Sequence, residues 1–262
     1  GIDLSPKSTV PWLIGLTPHA LHTSRAEGLK CDTLIIDEAG QMPIPLALMG
    51  MIKADKVILA GDHKQLPPII LSKDINPDLS QSVFQSLMSP ESCTMLDISH
   101  RMCGPICDFV SDLFYEGKLK AMRQECGTAL RCDEALYSFD TPVVFHDIDG
   151  DGKQDSLEEA RFIAETAAGF IARGIESHQI AAVSPFRAQT VRIRQALRKH
   201  KGLEGMASQV VSDTIDKMQG QERQIIFYSL VSGDVDYMKE MSDFLYNPNK
   251  MHVAFSRAQY HL

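Results

Sequence analysis

The chain has 262 residues, 44% of them apolar and 23% charged, with a formal net charge of −8. That composition excludes general disorder and suffices for one large domain or two ordinary ones. The acidic balance excludes a surface coated in phosphate-binding charge, but not a local basic channel. No apolar run is long enough to span a membrane, and no basic-then-apolar leader opens the chain, so neither a membrane nor a secreted protein is expected. Six cysteines without a leader, Cys31, Cys93, Cys103, Cys107, Cys126 and Cys132, point to reduced thiols in the cytoplasm, nucleoid or nucleus. The spacings among the last four miss the two-residue knuckle of zinc sites.

In chain order, Pro11 to Leu16 reads as a buried strand, with Thr17-Pro18-His19 as its strand-end loop. Thr33-Leu34-Ile35-Ile36 is a short unbroken apolar run that stops at Asp37-Glu38-Ala39. Val57-Ile58-Leu59-Ala60 is a second, stopping at Gly61-Asp62-His63-Lys64-Gln65-Leu66-Pro67-Pro68. Runs without polar alternation suit strands buried on both faces, which means a parallel sheet under helices. Ligands in such sheets bind beyond the carboxyl ends of the strands, where both polar clusters fall. Adjacent carboxylates there suit a Mg²⁺-nucleotide site, one organising the metal's water shell and its neighbour taking a proton from water. The alternative is that Asp37 and Glu38 only end a strand and cap the next helix.

Ser80 to Leu87 predicts a helix with Val83, Phe84 and Leu87 on one face, and Ser89-Pro90-Glu91 a boundary between domains 1–90 and 91–262. Beyond it lies Thr94-Met95-Leu96-Asp97-Ile98-Ser99-His100-Arg101-Met102. Asp147 to Glu158 satisfies the spacing of a calcium loop, yet Val143 to His146 before it reads as a strand where that loop needs a helix. A solvated acidic turn competes with a calcium site. Ser156-Leu157-Glu158-Glu159 is a capping box, and Ala160, Ile163, Ala164, Ala167, Phe170 and Ile171 form the apolar face of the helix that follows.

Ile180 to Val183 predicts another buried strand, ending in Ser184-Pro185-Phe186-Arg187-Ala188-Gln189. The next helix carries Arg187, Arg192, Arg194, Arg198 and Lys199, either a phosphate track or a solvated face. After Val210 to Glu222, where Gly220 permits close backbone approach, Gln224 to Val231 reads as a central strand. Asn247-Pro248-Asn249-Lys250-Met251-His252-Val253-Ala254-Phe255-Ser256-Arg257-Ala258 completes the set.

Taken in order, these clusters resemble the motifs of superfamily 1 helicases, in the branch that contains the nonsense-mediated-decay RNA helicase, nuclease-helicases and nidovirus helicases. The resemblance implies an α/β P-loop NTPase of two RecA-like parallel-sheet units, the first incomplete, that couples ATP hydrolysis to 5′→3′ movement on single-stranded DNA or RNA. It implies that Asp37 holds Mg²⁺ through water, Glu38 polarises the attacking water and Gln65 senses the γ-phosphate. Arg101 and Arg257 would neutralise phosphate charge, while Asp62, His100, Gly220 and Glu222 serve the nucleotide. Thr17, Ser184, Pro185, Phe186, Gln189, Thr214 and Gln219 would line the nucleic-acid path. Ser99 and His100 depart from the family's Gln and Tyr, and His252 and Ser256 from its Asn and Thr.

A glycine-rich phosphate loop ending in Gly-Lys-Ser/Thr should precede Asp37, and the chain has none. The expectation is therefore a fragment that hydrolyses ATP negligibly by itself. Two rivals stand beside the enzyme: a non-catalytic helicase-like scaffold that binds nucleic acid or a partner, and a calcium-responsive module built on Asp147 to Glu158.

Overall fold

The computed structural model describes residues 11–70, 76–125, 142–150, 152–231 and 233–262. The chain divides into two compact units, Gly1–Thr94 and Met95–Leu262. In the first, β1 (Cys31–Ile36) pairs in parallel with β2 (Ala54–Leu59), in the register Thr33↔Lys56 and Ile36↔Leu59. The crossover between them holds α1 (Ile44–Met51), and α2 (Pro77–Ser80) and α3 (Val83–Leu87) follow. Ile36, Ala39, Ala47 and Val83 make the core, with Leu34, Met42, Val57, Leu59 and Phe84 packed against it.

Three expectations for this unit need correction. β1 and β2 are not buried on both faces: Ile35 is 60% and Ile58 53% exposed, because among the described residues only the other face meets the helices. Residues 11–16 form no strand, and Leu13 is 94% exposed; a strand needs a ladder partner, and none of the described strands lies beside this segment. The helix expected over Ser80 to Leu87 is α3 and begins only at Val83, α2 having ended at Ser80. Ser82 sets that start, accepting from the Gln85 amide at 3.1 Å as the N-cap of α3, and Leu87 points outward at 53% exposure.

The second unit begins with β3 (Ile98–Cys103), α4 (Gly104–Phe114) and β4 (Lys120–Arg123), the two strands pairing in parallel. Its main sheet follows. α5 (Leu157–Ala172) leads to β5 (Ile180–Ser184), and α6 (Arg187–Lys199) to β6 (Val211–Thr214) and β7 (Arg223–Tyr228). α7 (Val235–Glu240), α8 (Ser242–Leu245) and α9 (Pro248–Phe255) precede β8 (Ala258–His261). The four strands are parallel, in the order β6-β5-β7-β8. All of β5 is buried, as its unbroken apolar run predicts. α5 and α6 cover the sheet, and Ile163, Ala167, Phe170, Ile193 and Leu197 join Ile180 and Ile225 in one core.

β7 ends at Tyr228, three residues before the predicted Val231, because Val231 has φ 77° and leaves the extended region. Residues 143–146 form no strand; Val144 only borrows the Leu262 carbonyl at 3.0 Å. No helix enters the calcium-like loop either, and its Asp155 is bound by Arg192. Asp151 of that loop lies outside the described residues, as do Cys126 and Cys132. Cys103 is disulfide-bonded, against the expectation of six thiols, while Cys31, Cys93 and Cys107 are free. Burial pushes the Cys107 thiol up to about 11. Among the described residues no helix is long and apolar enough to cross a membrane.

Candidate functional site

In the first unit both polar clusters stand where the sequence puts them, at the carboxyl ends of β1 and β2. Two glycines bring them together. A Cβ on Gly40 would lie 2.6 Å from the Asp62 carbonyl oxygen, and one on Gly61 2.7 Å from the Gly40 nitrogen. Ala39 N–H donates to the Ala60 carbonyl at 2.8 Å, locking the two turns. Between them, Asp37 Oδ1 accepts the Glu38 amide at 3.0 Å, and Glu38 takes a left-handed backbone with φ 53°. Gln41 Nε2 donates to Glu38 Oε2 at 3.1 Å and fixes that exposed carboxylate. Asp62 shapes its own loop, accepting from the Lys64 amide at 2.9 Å and from Gln65 Nε2 at 3.0 Å. His63 stacks on Phe84, with ring centroids 6.3 Å apart.

Magnesium suits this donor set: it takes one or two carboxylates and otherwise keeps water or substrate phosphates. Asp37 is exposed and commits one oxygen to a hydrogen bond. Among the described residues no group of three or more His, Cys, Asp or Glu could hold a metal by itself.

In the second unit, Ser99, His100, Arg101 and Glu222 line a cavity of about 430 Å³. Arg101 and Glu222 are 121 residues apart in sequence, yet Arg101 Nε donates to Glu222 Oε2 at 2.9 Å. Arg101 Nη1 donates to the Ser256 carbonyl at 3.2 Å, and Gln259 Nε2 to Glu222 Oε1 at 2.9 Å. Arg123 grips the His100 carbonyl at 3.4 Å and the Tyr260 hydroxyl, which holds β3 against β8. Gln259, Arg123 and Tyr260 have no signal in the sequence, because their roles arise only when strands distant in sequence meet.

The other anticipated residues divide by burial. Arg257 follows directly after Ser256, but only 3% of it is exposed and its Nε donates to the Val253 carbonyl at 3.1 Å. Ser184 and Gln189 are fully buried and Phe186 is 7% exposed, packed on Tyr237 and Phe244, so these three side chains do not form a surface. Pro185 is half-buried and Arg187 exposed. Within the basic helix, Arg192 pairs with Asp155 and Arg194 turns back on Thr190, leaving Arg187, Arg198 and Lys199 in solvent. Thr17 is exposed and precedes a 3-10 turn without capping it. Thr214 is half-buried, its amide bound to Asp213 Oδ1 at 2.9 Å. Burial raises the Asp213 carboxyl, but that bond and Lys217 outweigh it and hold the acid below its ordinary range. Gln219 Nε2 is buried and has no hydrogen-bond partner among the described residues. Gly220 has φ 75°, a conformation that excludes most side chains there.

A family model described as an AAA domain matches residues 79–262, and a second with the same description matches residues 14–73. The chain belongs to the AAA-domain family of superfamily 1 helicases. The DNA polymerase alpha-associated DNA helicase A of Schizosaccharomyces pombe is 32% identical to this chain, over 94% of the chain and 38% of that protein. An uncharacterized ATP-dependent helicase of Methanocaldococcus jannaschii is 29% identical over 89% of the chain and 35% of that protein. The DNA replication ATP-dependent helicase/nuclease dna2 of S. pombe is 26% identical over 95% and 19% respectively. The chain thus spans between about a fifth and two-fifths of these relatives.

Proposed function

We propose that this chain is part of an ATP-dependent helicase or translocase that moves on single-stranded DNA or RNA in the cytoplasm, nucleoid or nucleus. The observation that carries the reading is the convergence of Asp37, Glu38, Asp62 and Gln65 on one rim, locked by the Gly40–Gly61 contact. Asp37 would hold Mg²⁺ through water, and the ion would supply charge neutralisation at the phosphates. Glu38, its carboxylate oriented by Gln41, accepts a proton from the attacking water. Asp62 presets the Gln65 amide for the terminal phosphate.

In the second unit we assign the phosphate contact to Arg101, whose side chain is 34% exposed, rather than to the buried Arg257. Arg257 then serves by shaping the turn whose Ser256 carbonyl receives Arg101. His100 offers a flat ring for the base, Glu222 a carboxylate acceptor, and Gly220 its close-lying backbone. Thr17, Pro185, Thr214 and Gln219 remain candidate contacts to the single strand, to which exposure adds Arg187. Buried Ser184, Phe186 and Gln189 shape that surface from beneath.

The test is Glu38→Gln in the full-length protein. ATP turnover is expected to fall by about a hundredfold or more, as for loss of a general base, while ATP binding stays within about threefold. Unchanged hydrolysis would take the role from Glu38 and favour the non-catalytic scaffold.

A further inference from the structure

A closed ring of hydrogen bonds lies beneath the carboxyl ends of β5 and β7. The Ser156 amide donates to Gln189 Oε1 at 2.8 Å, and Gln189 Nε2 donates to Ser229 Oγ at 2.9 Å. Ser229 Oγ donates to Glu159 Oε2, and the Glu159 amide donates to Ser156 Oγ at 3.1 Å, closing the ring. Ser156, Gln189 and Ser229 are all at least 97% buried. The capping box is therefore only half made: Ser156 caps α5, but the Glu159 side chain leaves its own helix for the turn after β7.

Glu159 also accepts the Val231 amide. Val231 is β-branched, buried and held at φ 77°, where such a residue is an outlier. A strained backbone persists only where its surroundings over-determine it, and such sites cluster where function needs a fixed shape. The Val231 side chain joins Phe186 and Leu245 in one buried cluster. The Ser229 amide donates to the Val183 carbonyl at 2.9 Å, tying the same turn to the end of β5.

We propose that Glu159 is a positioning residue: through Ser229, Gln189 and the Val231 backbone, its carboxylate fixes the rim at the ends of β5 and β7 in the shape that engages a single strand. Glu159 itself touches no nucleic acid. Burial raises its carboxyl, while the bonds from Ser229 and Val231 oppose the rise. This inference rests on the function proposed above.

The test uses the full-length protein, a single-stranded oligonucleotide and two variants, Glu159→Gln and Ser229→Ala. A Gln keeps one acceptor oxygen but puts an NH₂ donor in place of the other and carries no charge, which weakens the bonds that Ser229 and Val231 donate to the carboxylate. Hydrogen exchange of peptides covering Ser229 to Val231 should quicken about tenfold in either variant, without added nucleic acid. The oligonucleotide concentration giving half-maximal ATPase should rise about tenfold or more, while kcat and the KM for ATP stay within about twofold. Unchanged exchange in both variants overturns the positioning role. Faster exchange with unchanged oligonucleotide affinity overturns its bearing on the single strand, and a parallel loss of ATP and oligonucleotide binding reduces the ring to a structural support. A wild-type protein that binds no single strand fails the parent function itself, and that control is read before either variant.

Discussion

His261 shows how far burial can move one group in this fold. It lies in β8 and is 5% exposed, edge-on to Phe170 at 5.5 Å. Burial, and secondarily His146, holds its imidazole down at about 4 against an ordinary 6.5. Between those values the unfolded chain binds a proton that the folded chain refuses, so stability rises with pH across the window and falls as the solution is acidified. The loss from this residue approaches on the order of 3 kcal/mol by about pH 4. Urea midpoints measured from about pH 6.5 down to about pH 4 should therefore decline, and His261→Gln should flatten the decline. An equal slope in the variant would place the proton uptake elsewhere. Glu38 is a second costly residue, since a left-handed backbone costs a non-glycine residue about 1–2 kcal/mol. The turn tolerates that cost where a carboxylate must leave the strand at a fixed angle.

Among the elements, the contact between the turns after β1 and β2 leaves no room for a side chain. The Gly40 Cβ position meets Asp62 backbone, which has no flexible end to swing aside. Gly40→Ala should destabilise the first unit by about 1–3 kcal/mol, the usual cost of overpacking, and disturb the Gln65 loop with it. A urea titration followed by a probe in residues 11–70 would show the shift, and an unchanged midpoint would mean that the two turns separate freely. The same scale shows what the sequence could tell. β5 and the apolar face of α5 are legible because period and composition are local properties, and so is the placement of Asp37, Glu38 and Gln65 beyond the strand ends, because polar residues interrupt apolar runs. The burial of Gln189 and Phe186 is not legible, because a strand-end cluster does not reveal which of its side chains turn inward. The Arg101–Glu222 pair and the Glu159–Ser229 bond join residues 121 and 70 positions apart, beyond any local pattern. Residues 11–16 carry strand composition, but no described strand pairs with them, so propensity alone misleads.

For the whole molecule, the net charge is −8, and on α6 Arg192 is paired with Asp155 and Arg194 bonded to Thr190, which leaves Arg187, Arg198 and Lys199 in solvent. No Gly-rich phosphate cradle occurs in the 262 residues, so the β- and γ-phosphates lack their main backbone donors here. The 262-residue chain purified alone should turn over ATP at no more than about a hundredth of the full-length rate, and clear turnover in a steady-state assay would overturn that expectation. The bare face of β1 and β2 has a practical consequence as well. Two parallel strands are too few to stand as an independent sheet, and Ile35 and Ile58 meet water on that side. Purified in isolation, the chain should be sticky: sedimentation would show a weight that climbs with concentration, and Ile35→Thr with Ile58→Thr should suppress the climb.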